Sequence, residues 1–172
     1  MAPTCGALPE TLAPSVRCGG VTNIVIRQAG AADLAAIAAL RSEWTQEWGG
    51  ETDDPGFSER FADWFERESS RRVTWLAEAD GRAVGMMNLA VFDRMPRPGQ
   101  APSSWGYLAN AFVHGAYRNR GIGGKLLTAL LGYADANRFA RVVLSPSERA
   151  IPFYERAGFA PAESLLLRTL PG

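Results

Sequence analysis

The residues best suited to chemistry stand together in Val113-His114-Gly115-Ala116-Tyr117-Arg118-Asn119-Arg120-Gly121-Ile122-Gly123-Gly124-Lys125. An apolar strand pattern stops at Val113, a glycine-rich turn follows, and an amphipathic helical pattern begins at Gly121. Glycines let backbone N–H groups approach an anion closely. A helix N-terminus adds free N–H donors and the positive end of its dipole. Arg118, Arg120 and Lys125 add charge, so these residue types in this order predict a diphosphate cradle. Two familiar nucleotide motifs fit badly. A P-loop needs Ser or Thr after Gly124-Lys125, and a dinucleotide fingerprint needs its third glycine at the same place; Leu126 stands there. The turn also follows the fourth strand pattern, not the first. The plain alternative is a packed strand-to-helix turn with no ligand.

The elements that must position this turn are legible on both sides of it. Ile24 to Arg27 is a β-branched run and reads as a first strand. Leu34, Ile37, Leu40 and Trp44 recur at helical spacing behind Asp33, a cap or first-turn acid, and Gly49-Gly50 ends that helix. Ser58 is the expected cap of a second helix, whose Phe57, Phe61, Trp64 and Phe65 make an aromatic face. Val73–Glu78 and Ala83–Phe92 read as strands joined at Asp80-Gly81, a hairpin signal. Gly85 predicts a bulge or a close backbone approach. Residues 93–104 form a Pro-rich loop, and Trp105 to Val113 is the next strand. A helix is expected over Gly121–Asn137, a short buried strand over Arg141–Leu144, and a short helix over Glu148–Arg156 with Gly158 as its C-cap glycine. Phe159 to Leu170 reads as a last strand or hairpin. The order β-α-α-β-β-β-α-β-α-β is that of an α/β fold with a mixed sheet.

Composition excludes several classes. The 172 residues suit one domain, and 47% hydrophobic with 21% charged residues is globular composition. Eighteen basic residues balance eighteen acidic ones, which argues against a bulk electrostatic grip on nucleic acid or an anionic membrane. No apolar run approaches the roughly 18–20 residues that span a bilayer. No basic segment leads into a continuous apolar stretch, so no signal peptide is expected and the expected location is cytoplasmic. Cys5, Cys18 and the single His114 make no metal set. Residues 1–20 read as a disordered or loosely packed arm, with Val21 as a possible alternative start, and residues 21–172 as the domain.

Arg118-x-x-Gly121-x-Gly123 resembles the Arg/Gln-x-x-Gly-x-Gly/Ala motif of the GNAT superfamily, the acetyl-CoA-dependent N-acetyltransferases. Ala150-Ile151-Pro152-Phe153-Tyr154-Glu155-Arg156-Ala157-Gly158-Phe159 resembles that family's A-x-x-x-Y-x-x-x-G-F helix and exit. The resemblance runs from about Ile24 to Leu170 and is strongest over Tyr107–Phe159. It implies a single domain with a central mixed, splayed β-sheet flanked by helices, and acetyl-CoA (coenzyme A) as cosubstrate. The pantetheine arm would lie in the splay along Ala111, Phe112 and Val113. Arg118, Asn119, Arg120, Gly121, Ile122, Gly123, Gly124 and Lys125 would form the diphosphate turn. Ser147 stands where many relatives carry a pantetheine-binding Asn.

The implied reaction is direct attack of a neutral primary amine, of a small molecule or peptide, on the thioester. It needs a deprotonated amine, an oxyanion donor and a proton for the leaving thiolate. By resemblance Tyr154 is the general acid, and a phenol of ordinary pKa about 10 is protonated at pH 7. The oxyanion donor would be a backbone N–H near Phe112 or Val113. The strand before the turn has no carboxylate where many relatives carry Glu. Tyr107 or Asn110 ordering a water, His114, or the acidic stretch of Glu47, Glu51, Asp53 and Asp54 are the candidates for moving the amine's proton. Trp48 and Trp105 are candidate pocket walls, whereas Trp44, at helical spacing, reads as packing. No metal is expected, and a homodimer is compatible with the resemblance. The rival readings are a non-catalytic acyl-CoA-binding module and a small phosphotransferase with a different glycine loop.

Overall fold

The structure is a computed structural model and describes residues 23–169. The expected arm and Val21 therefore lie outside the described residues. Nine regular elements follow in order: β1 Ile24–Gln28, α1 Leu34–Glu47, α2 Phe57–Glu68, β2 Arg72–Ala79, β3 Arg82–Asp93, β4 Ser104–Val113, α3 Ile122–Ala136, β5 Val142–Leu144 and α4 Ile151–Glu155. They build one five-stranded sheet in the order β1-β2-β3-β4-β5. The first four strands are antiparallel neighbours, and β5 joins β4 in parallel. This is the expected mixed sheet.

Both faces of the sheet are covered, which explains the near-continuous apolar runs in β2 and β3. Trp75, Ala77, Met87 and Leu89 face a core closed by Ile122, Leu126, Leu127 and Leu130 of α3. Leu76, Met86 and Phe112 meet Ile37 and Leu40 of α1 on the other face. Leu126 and Leu130 are fully buried, and each such side chain contributes about 1.5–3 kcal/mol relative to exposure.

Local chemistry explains the joints. Asp80 and Gly81 both have positive φ, 50° and 81°, the backbone of the tight turn that the β2–β3 hairpin requires. The pairing Ala77↔Gly85 and Glu78↔Ala83 leaves one extra residue in β3. A Cβ on Gly85 would lie 3.0 Å from the Phe112 carbonyl oxygen. Gly85 thus serves both a bulge and a close backbone approach.

Two expectations are corrected. Ser58 does not cap α2. The helix starts at Phe57 with Gly56 as its N-cap, and the Arg60 amide donates to the Gly56 carbonyl. The turn Asp54-Pro55-Gly56 already directs the chain into the helix, so Ser58 falls inside it. No strand or hairpin forms over 159–169. Leu166 and Leu167 are 100% and 92% exposed, and the apolar run Leu165–Leu167 has no strand alternation and no partner strand among the described residues.

Candidate active site

The site begins where β4 and β5 part. Their ladder covers only Gly106↔Val142, Tyr107↔Val143 and Leu108↔Leu144. Beyond Leu144 the chain runs Ser145-Pro146-Ser147, and Pro146 has no N–H to extend a ladder. On the other side β4 stays paired to β3 with a bulge. Met86 pairs with Phe112 and Asn88 with Ala109, so three steps of β4 oppose two of β3. Asn110, at the bulge, has φ 50°, the left-handed region that Asn tolerates better than most side chains. The resulting cleft, about 950 Å³, is lined by Ala111, Phe112 and Val113 on one wall and by Ser147, Arg149 and Tyr154 on the other.

The glycine turn leaves the cleft at the Val113 end, and of its residues Arg118 alone lines the cleft. A short 3₁₀ turn over Gly115–Tyr117 leads to Arg118, and Gly121 caps α3 at φ 75°. The Lys125 amide makes the first helical bond, to the Gly121 carbonyl. The amides of Asn119 through Gly124 donate to no group among the described residues. A Cβ on Gly124 would meet nothing within 4 Å, and one on Gly123 only the Phe153 ring at 3.6 Å. Protein packing therefore does not require glycine at either position, whereas a ligand lying against the backbone does. Ile122 is 2% exposed, so only its amide is offered to a ligand while its side chain anchors the helix. Asn119, Arg120 and Lys125 are exposed around the turn.

Tyr154 is held by the end of α4. The Phe159 amide donates to the Tyr154 carbonyl at 3.1 Å and Gly158, at φ 89°, donates to Glu155 at 2.9 Å. This is a glycine-terminated helix end with its usual apolar contact: the Phe159 ring packs edge-on against Tyr154 at 5.7 Å. Burial pushes the Tyr154 phenol pKa upward. The hydroxyl bonds no protein group among the described residues, yet no buried side-chain polar atom there lacks a partner. The hydroxyl therefore keeps some solvent access, and Tyr154 lines the cleft.

Other expected residues divide. Tyr107, Asn110 and Trp48 line the cleft, Trp48 being 74% exposed. Trp105 does not; it stacks on Phe92 at 4.6 Å, with the Arg141 guanidinium 5.5 Å from its ring, at the far end of β4. Glu51 accepts from the amides of Thr52 and Asp53 in an exposed loop, and Asp54 pairs with Arg60. His114 caps the 3₁₀ turn, its Nδ1 accepting from the Ala116 amide. None of these lines the cleft. Glu47 does, paired with Arg118, and it is the only carboxylate among the described lining residues. Trp44 serves both packing and site: it stacks on Phe112 at 5.9 Å and lines the cleft. Arg149 also lines the cleft, and nothing in the sequence marks it, since a lone Arg in a short turn carries no pattern. Among the described residues no helix is long and apolar enough to cross a membrane, and no three His, Cys, Asp or Glu converge on a metal site.

Known proteins share this fold. Residues 37–159 match the model of the acetyltransferase (GNAT) family. A glucosamine 6-phosphate N-acetyltransferase of Trypanosoma brucei brucei is 32% identical over 83 residues, 48% of this chain and 54% of that protein. The matched region thus spans about half the length of the curated relative. A protein described as a predicted acetyltransferase of Clostridium acetobutylicum, solved with acetyl-CoA, superposes with TM-score 0.70 at 20% identity, over 86% of this chain and 96% of that one. Glucosamine-6-phosphate N-acetyltransferase of Arabidopsis thaliana superposes with TM-score 0.66 at 16% identity, over 87% and 99%. The parted strands, the glycine turn and a family match that contains both of them place this chain in the acetyltransferase (GNAT) family.

Proposed function

We propose that the protein is an acetyl-CoA-dependent N-acetyltransferase acting on a primary amine of a small molecule. The observation that carries this reading is the open edge of β4 running directly into a turn whose amides, from Asn119 to Gly124, have no acceptor among the described residues.

Acetyl-CoA supplies an acetyl group activated as a thioester. The turn amides and the α3 dipole hold its diphosphate, and the free edge at Ala111–Val113 receives the amide-bearing arm as a sheet receives an added strand. The amine nitrogen bonds to the carbonyl carbon, the carbon–sulfur bond breaks, and the Tyr154 hydroxyl gives its proton to the sulfur. A backbone N–H near Phe112 or Val113 faces the negative charge developing on the carbonyl oxygen. The amine's own proton leaves through water ordered at Tyr107 or Asn110. The Trypanosoma relative makes glucosamine 6-phosphate the first acceptor to assay.

One observation favours a second reading, a non-catalytic acyl-CoA-binding module: the cleft's only carboxylate among the described residues, Glu47, is paired with Arg118. A thermal-shift titration with acetyl-CoA, against ATP and NADH, followed by thiol release with an amine panel, separates the readings. Saturation at 100 times Kd stabilises by about 2.7 kcal/mol, a shift of several degrees. A shift with thiol release supports the enzyme, a shift without release supports the binding module, and no shift overturns both.

A further inference from the structure

A second cavity, about 590 Å³, lies between the α1–α2 pair and the sheet. Its walls are apolar: Leu34 and Ile37 of α1, Phe61 and Phe65 of α2, and Met86 of β3. Its floor is not. Thr74 and Asn88, the two buried polar residues of the described core, both line it. Asn88 Nδ2 donates to Thr74 Oγ1 at 2.7 Å, and Asn88 Oδ1 accepts from Arg72 Nη1 at 3.0 Å. Arg72 is held in turn by Glu68, through Nε at 2.9 Å, and lies over the Trp64 ring. Apolar residues at these positions would hold the sheet as well or better. The network also has spare capacity: the second N–H of the Asn88 amide and the Thr74 hydroxyl proton have no protein partner among the described residues.

Two further residues say what this cavity would hold. Asn110, at the β4 bulge, lines both this cavity and the cleft beside β4, so it stands between the two spaces. Arg41 of α1 also lines the cavity. It is half-buried, lies 4.8 Å over the Trp44 ring, and has no carboxylate within 4 Å among the described residues. Glu68, the half-buried carboxylate of the cavity, is already shared between Arg71 and Arg72, and Asp63 and Glu66 at the rim are exposed. Arg41 is therefore the one guanidinium of the lining without an ion-pair partner among the described residues, and it stands beside neutral hydrogen-bonding groups.

We infer that this cavity is the acceptor site and that it takes a small primary amine bearing an anionic group, a carboxylate or a phosphate. Arg41 holds the anion, Thr74 and Asn88 bond hydroxyl or amide groups of the body, and the amine points past Asn110 into the cleft. The inference rests on the acetyl-transfer reading and adds the substrate class to it.

The test uses two matched pairs on the full-length protein: glucosamine 6-phosphate against glucosamine, and L-phenylalanine against phenethylamine. Binding to the CoA-saturated protein is read by thermal shift, and turnover by thiol release. The expected result is a kcat/KM at least tenfold higher for the anionic member of one pair; which pair responds distinguishes phosphate from carboxylate. Arg41→Gln, on a helix surface, lowers that value at least tenfold and the value for the neutral twin less than threefold. Equal or reversed preference in both pairs, no anionic amine binding beyond its twin, or an unchanged ratio in Arg41→Gln overturns the inference. Failure of acetyl-CoA itself to bind is a separate result and overturns the underlying reading.

Discussion

Glu47, in the last turn of α1, forms an ion pair with Arg118 of the glycine-rich turn, while Arg118 Nε donates to the Val113 carbonyl at 2.9 Å. One guanidinium thus ties the end of the first helix to the end of β4 at the point where the glycine-rich turn begins. The motif residue acts here as a brace, and the backbone amides that follow it have no acceptor among the described residues.

Breaking that brace is expected to affect ligand binding more than folding. Both side chains are about one-third exposed, where an ion pair contributes at most about 1 kcal/mol to stability. Glu47→Gln should leave the thermal midpoint within a few degrees and raise the Kd for CoA several-fold at low salt. The gap should narrow at high salt, where exposed charges are screened. Calorimetric titration at two ionic strengths reads both effects. A Kd unchanged at low salt would remove the brace from the binding mechanism.

The glycines of the turn separate structural from ligand-facing roles. Gly121, at φ 75°, is the left-handed N-cap of α3, and Gly121→Ala should destabilise the fold by about 1–2 kcal/mol. Gly124 lies inside the helix, with open space where a Cβ would stand. Gly124→Ala should keep or gain about 0.5–1 kcal/mol of stability and yet weaken CoA binding at least tenfold. Denaturant unfolding and CoA titration of the two variants supply the comparison. Full CoA affinity in Gly124→Ala would mean that no ligand lies against this turn.

Tyr154→Phe keeps the ring that packs on Phe153 and Phe159 and removes only the hydroxyl. A general acid contributes typically about 10²–10⁴ in rate, so kcat should fall by at least about 10² while the Kd for acetyl-CoA changes less than twofold. Burial raises the phenol's pKa above its usual 10, so Tyr154 retains its proton across the physiological range. Its ionisation should cause no loss of rate below about pH 10. A pH–rate profile of wild type, with kcat of the variant, checks both statements.

Stability at low pH should report Asp33. Arg27 binds both oxygens of its carboxylate, at 2.8 and 2.6 Å, and the Gly30 amide donates to it as well. These contacts lower its pKa from 3.8 to about 2. A depressed carboxylate pKa favours the fold above the unfolded value, and that contribution is lost as pH falls from about 4 towards 2. Asp33→Asn should therefore be less stable than wild type at pH 6, with the difference shrinking through this window. Denaturant midpoints at pH 6, 4 and 2.5 test the sign, and a constant difference would refute it.

The order of elements, the Asp80-Gly81 hairpin, the glycine turn before α3 and the Gly158 helix end were legible in the chain. Each is set by residues adjacent in sequence: a turn that needs positive φ, a helical or alternating period, a cap. The last strand failed because Leu165–Leu167 offered apolar content without a pairing edge, and Ser58 failed because the chain entered its helix two residues earlier, with Gly56 as the cap. What only the tertiary structure decided is which of these local features meet. One extra residue in β4 shifts its register against β3 and places Asn110 between two cavities. The polar Thr74 and Asn88, interruptions in two apolar runs, were visible in sequence, but their pairing depends on strands whose register is set by non-local hydrogen bonds. Sequence periodicity determines which side of an element is apolar. Packing of the whole sheet against both helix layers determines what each polar exception touches.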